Sequence, residues 1–351
     1  MVRRGPALDT SPGRRILPGG PTQPLDCTVS YVSAAKALAA AGSVIVTTHI
    51  NPDGDGVGAG LALLHALEGL GKQVRFLCPS RVVSTYAFLP GFADIAVVAD
   101  AAQAAAQAPA EVMISCDAGD VERLGAVAGV RRGTLINLDH HITNTRFGDI
   151  NLVDVAGESS GVVVEGLLRR MKVPLDRTLA ECLYTTIVFD TGRFMHSNTT
   201  AHTFRWTAKL LDAGIDAAAI NRALTYTKKP QDLQIQKLAI ENLRVDAAEP
   251  RLAGIVLSAA AVAAVGEPED WGDLVEVPRS LAGNQVAYLL REGKDGKTVR
   301  ASLRSNPPFA VGPVAQAFGG GGHLQAAGCT FIGDLASAER EITARLREAL
   351  R

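Results

Sequence analysis

No excess of either charge runs through this chain: 35 lysines and arginines stand against 36 aspartates and glutamates, a formal net charge of −1. That balance excludes the basic stripe a long nucleic acid requires, although a few local cations could still hold a short anionic ligand. Cysteine is sparse and scattered. The five residues (Cys27, Cys78, Cys116, Cys182, Cys329) contain no C-x-x-C and are odd in number, which speaks for free thiols in a reducing cytoplasm. No window of about 18 consecutive apolar residues occurs, so no membrane span is expected. The opening "MVRRGPALDTSPGRRILPGGPTQPLD" lacks the continuous apolar stretch of a secretory signal and is expected to be a disordered arm over residues 1–26. There is no internal repeat and no low-complexity tract beyond that arm.

What is present is core-forming material: 47% of the 351 residues are hydrophobic. At roughly 100 to 200 residues per domain, two domains are expected. From 27 to 215 short apolar runs alternate with longer helix-like stretches, the pattern of a parallel sheet in an α/β domain. "SVIVTT" (43–48), "VRFLC" (74–78), "IAVVA" (95–99), "VMISC" (112–116) and "TLINL" (134–138) read as strands. "GVGAGLALLHALEGLG" reads as a helix, and so does "SSGVVVEGLLRRMK", whose serines suit N-capping and whose Glu165 and Arg169 suit a solvated pair. Residues 216–247 are polar and mostly helical and read as a linker. Residues 248–351 read as a smaller mixed α/β domain, with strands in "GIVLS", "QVAYLLRE" and "TVRASLRS" and a long terminal helix.

Acidic residues and histidines gather where apolar runs end. "HINPDGD" (49–55) follows "SVIV", Asp117 follows "VMISC", Asp139, His140 and His141 follow "TLINL", and Asp190 follows "YTTIVF", read as a fourth strand end. The carboxyl ends of parallel strands open onto one crevice, so four distant segments are expected to converge there. Asp53, Asp55, Asp117, Asp139 and Asp190 could not all ionise in one pocket without a counter-charge, because like charges raise each other's pKa. Mixed oxygen and imidazole donors suit Mn²⁺ or a similar ion, with Mg²⁺ or Co²⁺ as substitutes, and six or more ligands suit two divalent cations. A lone aspartate after a strand is more often a turn residue, and Asp120 and Asp154 are read so; His65 and His202 are read as structural. "GDGVGAG" misses the G-x-G-x-x-G spacing, and its acidic neighbours would repel a pyrophosphate.

Through "HINPDGD", "CDAGD", "LDHHITN" and "FDTGRF" the sequence resembles the DHH phosphoesterase family, and "FGGGGHLQAAG" is similar to the glycine-rich signature of that family's substrate domain. Together they span nearly everything from residue 30 onward, and "DTGRFMHSNTT" in a stand-alone two-domain chain most resembles the oligoribonuclease (nanoRNase, NrnA-type) branch. The resemblance implies one metal held by His49, Asp53 and Asp117 and a second held by Asp55, Asp117, His140 and Asp190, with Asp117 bridging. It implies that Asp139 orients a ligand imidazole and that His141 faces the substrate phosphate. Gly54 and Gly56 stand where the family often has other residues, and they are expected to loosen the loop without removing a ligand.

Strand period places Arg300, Ser302 and Arg304 on one face of "TVRASLRSN". Arginine suits forked recognition of phosphate, and the resemblance puts a substrate-contacting arginine at Arg304. In "GGGGH", Gly320, Gly321 and Gly322 are expected to bring backbone N–H groups to an anion, with His323 as an added donor. The implied activity is metal-activated hydrolysis of short oligoribonucleotides to mononucleotides and of 3'-phosphoadenosine 5'-phosphate to AMP in the cytoplasm, with no long duplex or membrane partner and a homodimer left open. The rival readings are a phosphodiesterase of cyclic or linear signalling dinucleotides, an inorganic pyrophosphatase, a single-strand DNA exonuclease and a non-catalytic nucleotide sensor.

Overall fold

The computed structural model describes residues 27–268 and 271–351; the expected arm over 1–26 lies outside them. In chain order the first part carries α1 (Cys27–Ala40), β1 (Ser43–Thr47), α2 (Gly54–Gly69), β2 (Gln73–Cys78), β3 (Ala96–Val97), α3 (Ala101–Ala106), β4 (Ala110–Cys116), β5 (Arg132–Asp139), β6 (Ile150–Val153), α4 (Ser160–Arg170), α5 (Arg177–Asp190) and α6 (Ala201–Asp212). The six strands form one sheet in the order β3-β2-β1-β4-β5-β6, parallel throughout. Both faces are covered. Val44 and Val46 of β1 pack into the core shared with α2, α4 and α5, while Ile45 between them packs with Leu77, Met113 and Leu135 on the other side. Strands buried on both faces read as unbroken apolar runs, which is why they were recognisable in the sequence.

The chain winds outward from β1 to β3 and returns to β4 on the opposite side of β1. The ends of β1 and β4 therefore flank a topological switch point, where open α/β sheets bind ligands. The fourth cluster departs from the expected strand end: "YTTIVF" lies in helix α5, so three strand ends and one helix end carry the acidic groups. Nine of the 14 residues of α5 are buried, and a helix buried on most sides shows the same continuous apolar run as a buried strand. "IAVVA" yields only the two-residue β3, and the strand β6 in "INLV" was not anticipated.

Gly54 and Gly56 correct a second expectation. They do not loosen a loop; they lie in the first turn of α2, where a Cβ on Gly54 would come 2.9 Å from the Phe189 ring and one on Gly56 would collide with the Thr48 hydroxyl. Gly58 faces the Cys182 carbonyl and Gly60 the Phe76 ring in the same way. The glycines of "GDGVGAG" thus set the close approach of α2 to β1, β2 and α5, the most extensive helix–helix contact being α2 on α5.

The second part carries α7 (Ala217–Thr225), α8 (Pro230–Glu241), β7 (Leu243–Val245), β8 (Leu252–Leu257), α9 (Ala259–Val265), α10 (Glu276–Arg279), β9 (Val286–Glu292), β10 (Thr298–Ser305), α11 (Gly312–Ala317), β11 (Gly321–Gly322), β12 (Ala326–Ile332) and α12 (Leu335–Ala349). Its mixed sheet has the order β11-β12-β10-β9-β8-β7, antiparallel except for β8 on β9. The 216–247 stretch ends in β7, a strand of this sheet. On β10, Val299, Ala301 and Leu303 are buried, and Arg300, Ser302 and Arg304 occupy the opposite face, as the period of two requires. No helix among the described residues is long and apolar enough to cross a membrane.

Substituting Gly58→Ala should lower stability by about 1–3 kcal/mol, because the added Cβ would lie 2.6 Å from a main-chain oxygen that cannot swing aside. Gly69→Ala, at the open end of the same helix, should instead be neutral or stabilising by up to about 1 kcal/mol. Denaturant unfolding of the two variants at unchanged m-value would check the contrast.

Candidate metal centre

His49 and Asp53 leave the end of β1 together, and Asp53 caps α2 by accepting hydrogen bonds from the Asp55 and Gly56 N–H groups. His49 Nε2 lies 3.5 Å from Asp53 Oδ2 and 3.3 Å from Asp117 Oδ2. Asp117, just past β4, has a left-handed backbone (φ 56°), a conformation that costs a non-glycine residue roughly 1–3 kcal/mol unless its surroundings compel it. Its two oxygens face different histidines. Oδ2 faces His49, and Oδ1 lies 3.8 Å from His140 Nε2. His140 Nε2 is also 3.5 Å from Asp55 Oδ2 and 2.8 Å from Asp190 Oδ2. Two groups result, His49 with Asp53 and Asp117, and His140 with Asp55 and Asp190, each with its ligand atoms within 4.8 Å of one another.

Both imidazoles are oriented by carbonyl groups. His49 Nδ1 is 2.8 Å from the Ile50 carbonyl and His140 Nδ1 is 3.2 Å from the Gly157 carbonyl. A carbonyl only accepts, so each Nδ1 carries the proton and each Nε2 is turned to the cage. Asp139 does not orient a ligand imidazole as expected; fully buried, it accepts from the His140 N–H, from His141 Nδ1 at 2.7 Å and from the Asn144 side chain, and so orients His141. Burial works against its ionisation, but these donors hold the carboxyl below the usual range.

The cage has the features of a cation site. Among the described residues, His49 Nε2, His140 Nε2 and Asp190 Oδ2 are buried with no hydrogen-bond partner, the last two lying close together without hydrogen-bond geometry. Buried polar atoms without partners are rare and costly. The donors are carboxylate and imidazole. Cys116 stays out as a thiol that burial and the neighbouring aspartates push far above its ordinary pKa. Without cations, protons must neutralise the cage. Burial alone would lower the His49 pKa, yet the carboxylates of Asp53 and Asp117 outweigh it and push it up to about 10. His140 is likewise raised well above its ordinary value by Asp190 and Asp55, against burial. Asp55 is raised by burial and by Asp190 and Asp117. Four carboxylates (Asp53, Asp55, Asp117, Asp190) carry the charge that two divalent cations would balance.

The second domain meets the cage through His323, whose ring stacks on His141 at 4.3 Å between centroids and 17° between planes and lies 5.1 Å from His140. Burial first, and then His141 and His140, depress its pKa to about 3, so it is neutral. The glycine run is more constrained than expected. The Gly320 N–H is taken by the Ala315 carbonyl and the His323 N–H by the Ala326 carbonyl, and a Cβ on Gly320 or Gly322 would strike the β12 backbone; of the four glycines, Gly319 and Gly321 face open space. Arg304 Nη1 donates to the Leu303 carbonyl and its Nε is 3.5 Å from Glu276 Oε1, with Ser302 half-buried on the same strand face.

Several residues of the site were not anticipated. Ser160 and Gly161 bond Asp55 through their N–H groups, although "ESSG" had suggested ordinary local capping. Arg279 reaches from the second domain to His196 Nε2 at 3.4 Å, and His196 Nδ1 is 3.2 Å from the Asp190 carbonyl. His196 falls within "DTGRFMHSNTT", but neither it nor Arg279 stands in a spacing that ties it to the ligands. As expected of residues outside the site, Asp120 and Asp154 accept turn N–H groups, and His65 faces the Pro90 carbonyl.

Residues 43–187 match the DHH family N-terminal domain and residues 257–351 the DHHA1 domain. The chain is 30% identical over 312 residues, 88% of its own length and 90% of the other's, to the bifunctional oligoribonuclease and PAP phosphatase NrnA of Thermus thermophilus. It is 24% identical over 293 residues to the protein of the same name in Bacillus subtilis, covering 82% of this chain and 89% of that one. An exopolyphosphatase-related protein from Bacteroides fragilis shares the fold with a TM-score of 0.81 at 24% identity, over 92% of this chain and 98% of that one.

A cation can enter only as the imidazoles shed their protons. Because the His49 pKa is raised to about 10, the proton-bound cage is favoured below that value and loses ground as pH rises. Apparent Mn²⁺ affinity should therefore climb from pH 6 to 8, by up to about tenfold per unit for each proton displaced. Calorimetry in buffers of different ionisation enthalpy would count those protons, and a pH-independent affinity would contradict the cage as described.

Proposed function

The chain belongs to the DHH phosphoesterase family and is a hydrolase of phosphoester bonds, and from that premise we propose that it cleaves short oligoribonucleotides to mononucleotides and removes phosphate from 3'-phosphoadenosine 5'-phosphate. The observation that carries the reading is the paired cage with its orphaned imidazole nitrogens, overhung by His323 of the glycine run. His49, Asp53 and Asp117 would hold one divalent cation, and Asp55, His140 and Asp190 the other with a share of Asp117. Mn²⁺ is the ion of choice. Such a pair supplies Lewis-acid polarisation of a phosphoryl oxygen and a water acidic enough to ionise near neutral pH.

The remaining residues act on substrate and protons. His141 Nδ1 is committed to Asp139, which leaves Nε2 as the nitrogen that meets a phosphoryl or departing oxygen. Burial opposes its charged form, but Asp139 and Asp117 together outweigh burial and raise its pKa, so Nε2–H serves as a proton donor. His323 closes the cleft from the other domain, and Arg304 is the cation offered to a phosphate. A cleft walled by a loop and a few cations suits a short ligand and agrees with the near-neutral chain. The buried, unpaired thiols of Cys78, Cys116, Cys182 and Cys329 fit a reducing compartment, and the reading carries a cytoplasmic location.

Product analysis over time with end-labelled RNAs of graded length, a cyclic and a linear dinucleotide, and the 3',5'-bisphosphate, all in Mn²⁺, tests this reading. Short linear RNAs and the bisphosphate should turn over fastest. Asp117→Ala should fall to background, whereas Asp139→Asn should keep its metal and lose about 10–100-fold. Near-full Mn²⁺-dependent activity in Asp117→Ala would refute the assignment.

A further inference from the structure

The first turn of α4 does something its sequence did not announce. Ser159 occupies the N-cap position, yet its hydroxyl makes no cap and bonds the Thr186 hydroxyl of α5 at 3.1 Å. The helix is capped instead by Asp55, 105 residues earlier in the chain: the Ser160 N–H donates to Oδ2 at 2.7 Å, and the Gly161 N–H, 106 residues on from Asp55, donates to Oδ1 at 3.3 Å. The Ser160 hydroxyl then donates to Asp117 Oδ1 at 3.3 Å. A Cβ on Gly161 would collide with the Thr186 hydroxyl, so glycine lets the helix end come this close.

The three bonds fall unequally on the two halves of the cage. Asp55 gives one lone pair on each oxygen to a main-chain donor and is fully buried, so it cannot rotate between ions. On Asp117, only Oδ1 receives the serine hydroxyl, and Oδ1 is the oxygen that faces His140; Oδ2, facing His49, receives no such bond. The His49 half relies on Asp53, whose side chain is 33% exposed, against 0% for Asp55. The orphaned Nε2 of His140 and Oδ2 of Asp190 aim into the half that α4 braces.

We propose that Ser160 is a positioning residue for the His140 half of the cage: its hydroxyl fixes Asp117 Oδ1, and with it the share of that carboxylate that a second cation would receive. The inference rests on the two-cation reading of the site. It adds that the two positions are unequal, the His140 position being built into the fold and the His49 position completed from a more exposed carboxylate.

Calorimetric and paramagnetic titrations of the full chain with Mn²⁺ alone test this. Wild type should bind two ions with separable affinities. Ser160→Ala, which keeps both main-chain donors, should weaken one of them by ~10-fold or more and leave the other within about twofold. Ser159→Ala, which removes a hydroxyl bonded only to Thr186, should change neither. Fewer than two ions in wild type would defeat the two-cation reading itself. Two ions in wild type with unchanged affinities in Ser160→Ala, or an equal loss at both positions, would overturn the role given to Ser160. If Ser160→Ala does not fold, Ser160→Cys, isosteric and a weaker donor, decides the matter: a selective loss supports the proposal, and equal or absent loss defeats it.

Discussion

Four carboxylates and two imidazoles enclose a space with little access to water, and the mutual repulsion of those carboxylates governs the rest of the molecule. In such a site each anion raises the pKa of the next, and a chain would not retain the group unless something positive entered it. Protons are the poor solution, leaving His49 and His140 charged and two imidazole nitrogens without hydrogen-bond partners. Divalent cations are the good one, since their charge and coordination requirements match donors already turned inward by the Ile50 and Gly157 carbonyls.

Holding such a cage together requires rigid supports that meet at one point, and the doubly wound sheet supplies them. β1, β4 and β5 end on the same edge and deliver His49, Asp117 and the Asp139–His141 run. Helices complete the set by their ends: α2 brings Asp55 in its first turn, α5 brings Asp190 in its last, and α4 presents N–H donors to Asp55. Three helices can converge this closely only where side chains are missing from their contact surfaces. The glycines at 54, 58 and 161, which all face α5, therefore shape the candidate metal centre at one remove, through packing distance and not backbone flexibility.

The second domain contributes closure. Its mixed sheet is braced by α12 and α11 on one side and by α8 and α9 on the other, which frees β11 and the loop after it to carry His323 across to His141. A second bridge runs from Arg279 through His196 to the main chain of Asp190, so both domains touch the elements that hold the ligands.

By itself the sequence determined the family and marked the candidate ligands. Ligand type follows from residue type, and "HINPDGD", "CDAGD" and "LDHHITN" mark themselves by following buried strands whose apolar runs are legible at short range; the covered face of β10 followed from a period of two. It misjudged "YTTIVF" because burial on most sides erases helical periodicity, and it misread the "GDGVGAG" glycines because their partners, Thr48, Phe189, Cys182 and Phe76, lie on other elements. Tertiary structure alone decided how the ligands are divided: which oxygen of Asp117 faces which histidine, that Asp55 caps a helix more than a hundred residues away, and that His323 covers His141. Those are relations between segments far apart in the chain, fixed by packing distances of a few ångströms, and local pattern carries no information about such distances.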